Sequence, residues 1–129
     1  MLPQTAVYAL RAMGYIASKS GDSKMRCEEL SQKASIPRNY LSKILNRLVQ
    51  AKLLNSTRGV RGGVQLARPA KAIRLSEVVA LFMDMDEYSH CILNYDTCRH
   101  SCKLHPQWAP IMKRARRLLE TETLDKLCN

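Results

Sequence analysis

The stretch "PRNYLSKILNRLVQAKLLNSTRGVRGGVQLAR", residues 37–68, decides the fold because its hydrophobic pattern changes halfway along. In the first half, apolar residues recur at i, i+3, i+4, i+7 and i+8, as on the buried face of an amphipathic helix: Leu41, Ile44, Leu45, Leu48 and Val49. The second half has two short runs of apolar and polar residues, "LLNSTRG" and "GGVQLAR", which flank the turn-rich "RGVRGG". The pattern therefore predicts a helix followed by a β-hairpin.

Two more helices are predicted before this stretch. Four residues at spacings of four, three and four mark an amphipathic first helix: Ala6, Leu10, Met13 and Ala17. The segment "CEELSQKA", residues 27–34, predicts a short second helix with acidic residues near its positive N-terminal end. Helices at 27–34 and 37–50, followed by a basic hairpin, are typical of a winged helix-turn-helix. The expected fold class is mainly α with a small β-hairpin.

The charge is divided unevenly along the chain. Residues 1–75 carry fourteen Lys and Arg against three acids, a charge of +11, whereas residues 76–129 carry seven against eight, a charge of −1. Solubility alone does not require this segregation, so the first part is expected to meet a polyanion, with nucleic acid as the leading candidate. We therefore divide the chain into a DNA-binding domain, residues 1–75, and a second part, residues 76–129.

The outward face of the predicted third helix offers hydrogen-bond donors where a major-groove helix needs them. Its polar and basic residues near the start of the helix are Arg38, Asn39, Ser42, Lys43 and Arg47. Arg58 at the tip of a thin hairpin suits a narrow minor groove. Each feature alone is weak, but their order and the charge asymmetry together favour binding to double-stranded DNA.

Cysteines crowd the second part of the chain. Three cysteines and a histidine, Cys91, Cys98, Cys102 and His105, follow the spacing C-x6-C-x3-C-x2-H. Three thiolates and an imidazole can bind zinc or an iron-sulfur cluster. The absence of a tight C-x2-4-C knuckle argues mildly against zinc. Thiols that oxidise without any metal are a third interpretation.

Two further helices are expected after residue 75. One is predicted through "SEVVALFMDM", with Ser76 as a candidate N-cap, and the acidic "DMDEYSH" should end it. The other begins near Pro106 or Pro110 and carries an apolar stripe: Trp108, Ile111, Met112, Ala115, Leu118 and Leu119. That stripe could dock on its own domain or on a twin subunit, and we favour the twin because helix-turn-helix proteins commonly dimerise.

Other classes of protein have less support. The sequence contains neither the His-x-Glu and Pro-Cys-x-x-Cys motifs of zinc deaminases nor a Gly-x-Ser-x-Gly elbow, so we expect no enzyme. A metalloenzyme or RNA-binding protein that uses the same basic surface is the alternative from a separate class. No stretch approaches the roughly 18 apolar residues of a membrane span, and no signal region opens the chain, so a cytoplasmic location is expected.

These features resemble the winged-helix regulators that include IscR, NsrR and RirA. The similarity runs from "YALRAM" to the closing "TLDKL", and its specific part is the "RGxxGGxxLA" wing followed about thirty residues later by three cysteines. The resemblance implies a transcriptional regulator, a repressor, whose promoter affinity is controlled by an iron-sulfur cluster that senses redox state, nitric oxide or iron. It implies no small-molecule substrate.

The resemblance also implies roles for individual residues. Cys91, Cys98 and Cys102 would be the cysteine ligands, and "CKLHPQW" is similar to the IscR segment in which a histidine completes a 2Fe-2S site. His105 is therefore the expected fourth ligand, and 2Fe-2S is favoured over 4Fe-4S. The residues that match the family's recognition helix and wing are Arg38, Asn39, Tyr40, Ser42, Lys43, Arg47, Arg58 and Arg61. The long helix would pair with its copy in a homodimer.

Overall fold

The computed structural model describes residues 2–19, 24–89, 91–93 and 102–127. The helices are α1 (Gln4–Ser18), α2 (Cys27–Ala34), α3 (Arg38–Gln50), α4 (Leu75–Val79) and α5 (His105–Thr121), with one hairpin of β1 (Leu54–Thr57) and β2 (Gly63–Leu66). Short 3-10 helices lie at Ala70–Ala72, Met85–Ser89 and Leu124–Leu127. This arrangement confirms the expected winged helix-turn-helix fold class. None of the described helices is both long and apolar enough to cross a membrane.

The turn between α2 and α3 is held from both sides. Ser35 adopts a left-handed conformation with φ of 55°, which ends α2 sharply. The Ser31 hydroxyl donates to the Ile36 carbonyl at 2.6 Å, and the Ile36 side chain is buried. From α1, the Arg11 guanidinium donates to the Ala34 carbonyl at 3.0 Å. The angle between the two helices is therefore fixed by side chains as well as by packing.

The hairpin is antiparallel and lies against the helices through its apolar side. Leu54 pairs with Leu66, and Thr57 pairs with Gly63. On the other edge of β2, the Met25 and Val64 backbones exchange two hydrogen bonds, each of 2.9 Å. The chain before α2 thus adds a one-residue strand to the sheet and ties the wing to the helix-turn-helix.

The hydrophobic core includes residues from both parts of the chain. Buried residues of α1, α3, α4, α5 and the hairpin form one cluster, which extends to Leu124 near the C-terminus. The Arg74 and Thr123 backbones form an isolated bridge, and the Leu124 amide donates to the Ile73 carbonyl at 2.8 Å. The sequence-based division at residue 75 therefore falls inside a shared core, and it stays a prediction about function.

The region after the hairpin corrects two sequence-based predictions. Helix α4 ends at Val79, and the acidic stretch that was expected to break a longer helix itself forms the 3-10 helix Met85–Ser89. The N-cap is Arg74 rather than Ser76, because the bridge to Thr123 holds Arg74 in an extended conformation. The Glu77 carboxylate accepts a hydrogen bond from the Arg74 amide at 2.8 Å, which satisfies a donor that the helix leaves unpaired.

Candidate nucleic-acid interface and cysteine loop

The outward face of α3 is exposed and polar, as the sequence predicted. Leu41, Ile44, Leu45 and Leu48 are buried against the core, while Val49 is half-buried. The six predicted DNA-contacting residues of the helix are all exposed: Arg38, Asn39, Tyr40, Ser42, Lys43 and Arg47. Their contact with DNA stays a prediction, but their side chains are accessible to a duplex.

Two of these exposed arginines already have partners within the chain. Arg38 forms an ion pair with Glu28 of α2, with Nη1 and Oε1 2.9 Å apart. Both side chains are about two-thirds exposed, so the pair is weak and the Arg38 guanidinium can exchange Glu28 for a phosphate. The Arg47 guanidinium lies over the Phe82 ring, 5.6 Å from its centroid. The recognition helix therefore touches the segment that follows α4.

The tip of the wing is a tight turn that projects into solvent. The Gly62 amide donates to the Gly59 carbonyl at 2.9 Å, which closes the turn. A Cβ atom at Gly62 would lie 2.3 Å from the Thr57 carbonyl oxygen, so only glycine fits there. Arg58 and Arg61 are exposed on either side of Val60, which is 90% exposed. The turn thus presents two guanidinium groups at the end of a thin hairpin.

Two basic residues before α2 brace this wing, and the sequence reasoning missed both. The Arg26 guanidinium donates to the carbonyls of Gly59 and Val60, at 3.2 and 2.8 Å. The Lys24 ammonium donates to the Thr57 hydroxyl at 2.9 Å. The alternation of basic, apolar and basic residues over 24–26 is the signal that could have indicated an extended segment there. Because of these bonds, the wing and the helix-turn-helix keep a fixed relative position.

Some of the basic residues on this surface form no ion pair with a described carboxylate. Within the described residues, no carboxylate lies within ion-pair distance of Lys43, Arg58 or Arg61. By contrast, the two lysines near Glu29, Lys19 and Lys33, hold the pKa of its carboxyl below its usual value through hydrogen bonds. Lys43 on α3 and the two arginines of the wing therefore present positive charge that no described carboxylate neutralises by an ion pair.

Of the four predicted metal ligands, the structure describes Cys91, Cys102 and His105, whereas Cys98 lies outside the described residues. Each of the two described cysteines accepts a hydrogen bond at Sγ from the amide two residues later, Leu93 for Cys91 and Leu104 for Cys102, both at 3.4 Å. Amide donors of this kind stabilise a thiolate and are one way in which proteins tune iron-sulfur clusters.

The histidine lies next to the last cysteine at the start of α5. The His105 amide donates to the Cys102 carbonyl at 3.1 Å, so one turn of chain separates the two side chains. Within the described residues, no three His, Cys, Asp or Glu side chains are gathered as for a single metal ion. Thiolates and imidazole are among the ligands that bind iron-sulfur clusters and zinc, so the chemistry of the donor set fits either.

Helix α5 divides its apolar residues between two faces, which refines the predicted dimer surface. Met112 and Leu119 are buried in the core of their own chain, so they are not available to a second subunit in this conformation. Ile111 and Leu118 are more than half exposed, and Leu104 is 50% exposed. Leu104, Ile111 and Leu118 are spaced seven residues apart, so they lie on one exposed stripe of the helix. Trp108 and Ala115, which are half-buried, lie beside it.

One ion pair connects α5 to the 3-10 helix that precedes residues 91–105, which we call the cysteine loop, and another lies within α5. Arg116 contacts Glu120 at 2.7 Å and Asp86 at 3.3 Å, and the hydrogen bond with Glu120 is the main reason that the pKa of Arg116 is raised. The Tyr88 side chain is buried, and burial raises the pKa of its hydroxyl. The segment before Cys91 is therefore packed on α5.

Comparisons with known proteins agree with this geometry. A family model described as "Iron-dependent Transcriptional regulator", Rrf2, matches residues 2–129. A protein of Aquifex aeolicus (strain VF5) named "Putative HTH-type transcriptional regulator" is 29% identical over 97% of this chain and 89% of its own length.

Two solved structures have the same fold. CymR, "the Global Cysteine Regulator of B. subtilis", superposes with a TM-score of 0.81 at 22% identity, covering 98% of this chain and 95% of its own. The IscR of T. potens superposes with a TM-score of 0.76 at 20% identity, covering 98% of this chain and 85% of its own.

Proposed function

Since the chain belongs to the Rrf2 family of transcriptional regulators, we propose that it is a promoter-binding homodimer whose affinity for DNA is set by an iron-sulfur cluster in the cysteine loop. The observation that carries the DNA-binding part is the exposed cationic surface of α3 and the wing, which Arg26 and Met25 hold in one fixed arrangement. A regulator of this kind acts where the genome is, so we infer a cytoplasmic location.

In this proposal α3 enters the major groove and the wing follows the adjacent minor groove. Lys43 and the polar residues at the start of α3 contact base edges and phosphates. Arg58 and Arg61 reach a narrow minor groove, whose negative potential attracts guanidinium groups. Arg38 releases Glu28 when it binds a phosphate. These contacts need the braced wing, because a hairpin that swings freely loses affinity to the entropy of its ordering.

The second subunit covers the exposed stripe of α5. Leu104, Ile111 and Leu118 repeat at seven residues, which is the spacing that two paired helices require. Complete burial of an exposed Ile or Leu side chain contributes about 1.5–3 kcal/mol. These three side chains are about half exposed, so covering the rest contributes roughly half of that for each. Two copies of α3 would then meet two half-sites of the promoter at once.

The cluster ligands are Cys91, Cys98, Cys102 and His105, and a 2Fe-2S cluster suits three thiolates and one imidazole. When bound, such a cluster supplies one-electron redox chemistry and sensitivity to oxidants and nitric oxide. The amides of Leu93 and Leu104 support the thiolates of two ligands. Binding of the cluster would fix the loop between Cys91 and α5, and loss of the cluster would release this loop. Affinity for DNA then depends on the state of the loop.

A second candidate keeps the same fold and DNA surface but uses the cysteines as bare thiols or as zinc ligands. The observation in its favour is that one structural neighbour is described as a global cysteine regulator, and another, CymR of Staphylococcus aureus, is described in an oxidized form. A repressor that senses through thiols needs no iron. The two candidates differ in the metal and sulfide content of the protein.

The experiment is a measurement of iron, acid-labile sulfide and zinc per chain, with a visible spectrum, on protein purified without oxygen. We expect iron and sulfide in matching amounts. Cys102→Ala should lose the visible absorption, whereas Cys27→Ala, which removes a thiol on α2 far along the chain from the loop, should retain it. Zinc or no metal in the wild-type protein would replace the cluster by the second candidate. Unchanged absorption in Cys102→Ala would remove that residue from the site.

A further inference from the structure

The recognition helix α3 contacts the segment that leads to the cysteine loop through one aromatic ring, that of Phe82. Arg47 lies in the last turn of α3, and its guanidinium carbon is 5.6 Å from the centroid of the Phe82 ring. Phe82 is half-buried and packs against the main core three residues after the end of α4. A guanidinium over an aromatic face is attracted by the ring quadrupole, and the planar groups stack.

Phe82 lies at the start of the segment that leads to the cysteine loop. Its amide donates to the Val79 carbonyl at 3.0 Å, which anchors it to α4. The 3-10 helix Met85–Ser89 follows, and Asp86 on that helix contacts Arg116 of α5 at 3.3 Å. Cys91 comes two residues after this 3-10 helix. Residues 82–89, which include this 3-10 helix packed on α5, therefore connect the ring that contacts Arg47 with the chain just before Cys91.

We propose that Arg47 is a positioning residue, whose contact with the Phe82 ring couples the state of the cysteine loop to the orientation of the recognition helix. This rests on the proposed function, because it names the route by which the loop controls DNA affinity. Arg47 remains exposed and can still donate to a phosphate when the helix is docked. The contact orients its guanidinium and links the C-terminal end of α3 to Phe82.

The expected size of the effect follows from the strength of such a contact. A cation-π contact at an exposed or partly exposed site is worth about 0.5–1 kcal/mol, which is about two- to fivefold in an equilibrium constant. The quantity to measure is the ratio of the dissociation constants for duplex DNA in the cluster-loaded and iron-free proteins. Loss of the ring should bring this ratio about two- to fivefold closer to one, because coupling between sites is itself a ratio of affinities.

The experiment compares Phe82→Leu, which removes the ring but leaves Arg47 free to reach a phosphate, with Phe82→Tyr, which keeps the ring. Tyr15→Leu is the matched control, since it removes a partly exposed aromatic ring from α1. Duplex affinity is measured by fluorescence anisotropy in both cluster states. We expect a ratio closer to one for Phe82→Leu and a wild-type ratio for the other two variants. A wild-type ratio for Phe82→Leu would overturn the inference and leave the proposed function intact.

Arg47→Met provides a second test if Phe82→Leu is poorly folded. It removes the charge but keeps an apolar stem, and it should bring the ratio closer to one by a similar factor, with no further change in the double variant. If Arg47 is only a phosphate contact, the variant weakens binding equally in both states, the ratio is unchanged, and the inference fails. If the wild-type protein itself binds duplex DNA equally in both states, the proposed sensing function fails first, and the inference falls with it.

Discussion

Replacing Gly62 by alanine should disable the wing. An ideal Cβ atom at this position would lie 2.3 Å from the Thr57 carbonyl oxygen, and 2.9 Å from the Arg58 carbonyl carbon and the Gly59 oxygen. All three are backbone atoms of the same hairpin, so no change of rotamer relieves the contact. The backbone must move instead, which breaks the 2.9 Å hydrogen bond from the Gly62 amide to the Gly59 carbonyl.

The expected loss of stability in Gly62→Ala is the sum of these two effects. Forcing an extra carbon into a packed site costs about 1–3 kcal/mol. Loss of one backbone hydrogen bond costs about 1 kcal/mol more. We therefore expect Gly62→Ala to lower the free energy of unfolding by about 2–4 kcal/mol in a urea titration. Because Arg58 and Arg61 flank the turn, duplex affinity should also fall at least about fivefold, the equivalent of one lost contact worth about 1 kcal/mol.

Gly14→Ala is the matched control for this substitution. Gly14 lies inside α1, and the nearest atom to a new Cβ there is Leu127 Cβ at 3.5 Å, which is an ordinary contact. Alanine in a helix interior is favoured over glycine by about 0.5–1 kcal/mol, so this variant should be as stable as the wild type or more stable. Wild-type stability and affinity in Gly62→Ala would refute the geometry of the wing. Reduced stability with unchanged affinity would show that DNA does not contact the wing.

Three further predictions test the other parts of the account. Lys43→Ala should weaken duplex binding and make the salt dependence shallower by about one unit of slope if the lost contact is to phosphate; an unchanged salt slope would contradict a phosphate contact. Ile111→Glu should give a monomer in sedimentation velocity, whereas Arg117→Gln, which makes the same change of charge off the stripe, should remain a dimer; a dimeric Ile111→Glu would exclude this face. Burial acts to raise the pKa of Glu77, but hydrogen bonds from the Arg74 amide and the Arg68 guanidinium outweigh it, so the pKa is lowered. A carboxyl with a lowered pKa contributes stability above its ordinary value of about 4.5 that is lost as the pH falls through the folded value, so Glu77→Gln should flatten the acid limb of the stability profile; an unchanged limb would argue against the contacts of Glu77.

The elements of the winged domain were predictable because local patterns specify them. The apolar spacing of α3 and the change to short runs around a glycine-rich turn gave the helix and the hairpin within a residue or two of their observed bounds. The α2 helix begins and ends at the predicted residues. In these segments the period of burial is the same in sequence and in space, so one-dimensional reasoning is sufficient.

Contacts between distant segments were not predictable from these patterns. The hydrogen bonds of Arg26 to the wing join residues more than thirty positions apart, and the alternation over 24–26 indicates an extended segment but not the segment that it contacts. The apolar spacing of α5 predicts a single surface, but Met112 and Leu119 are buried in the core of their own chain and leave Ile111 and Leu118 exposed. A hydrophobic pattern indicates that a helix face is buried, but it does not indicate whether the same chain or a second subunit buries it.

The cysteine loop is predictable from the sequence in its ligand types but not in their spatial arrangement. The sequence specifies the ligand types and their order. The hydrogen bonds that backbone amides donate to the sulfurs of Cys91 and Cys102 agree with an environment that stabilises thiolates. The arrangement of all four ligands includes Cys98, which lies outside the described residues. The ligand set therefore stays a prediction.

The most direct test of the central claim is the duplex affinity of one preparation measured twice, first with its cluster intact and then after anaerobic removal of iron, on a sequence selected from a random duplex pool. We expect iron and sulfide in matching amounts in the first sample and a change of at least about fivefold in the dissociation constant in the second, the lower end of typical coupling between sites. The same dissociation constant in both samples would contradict control of DNA binding by the cysteine loop.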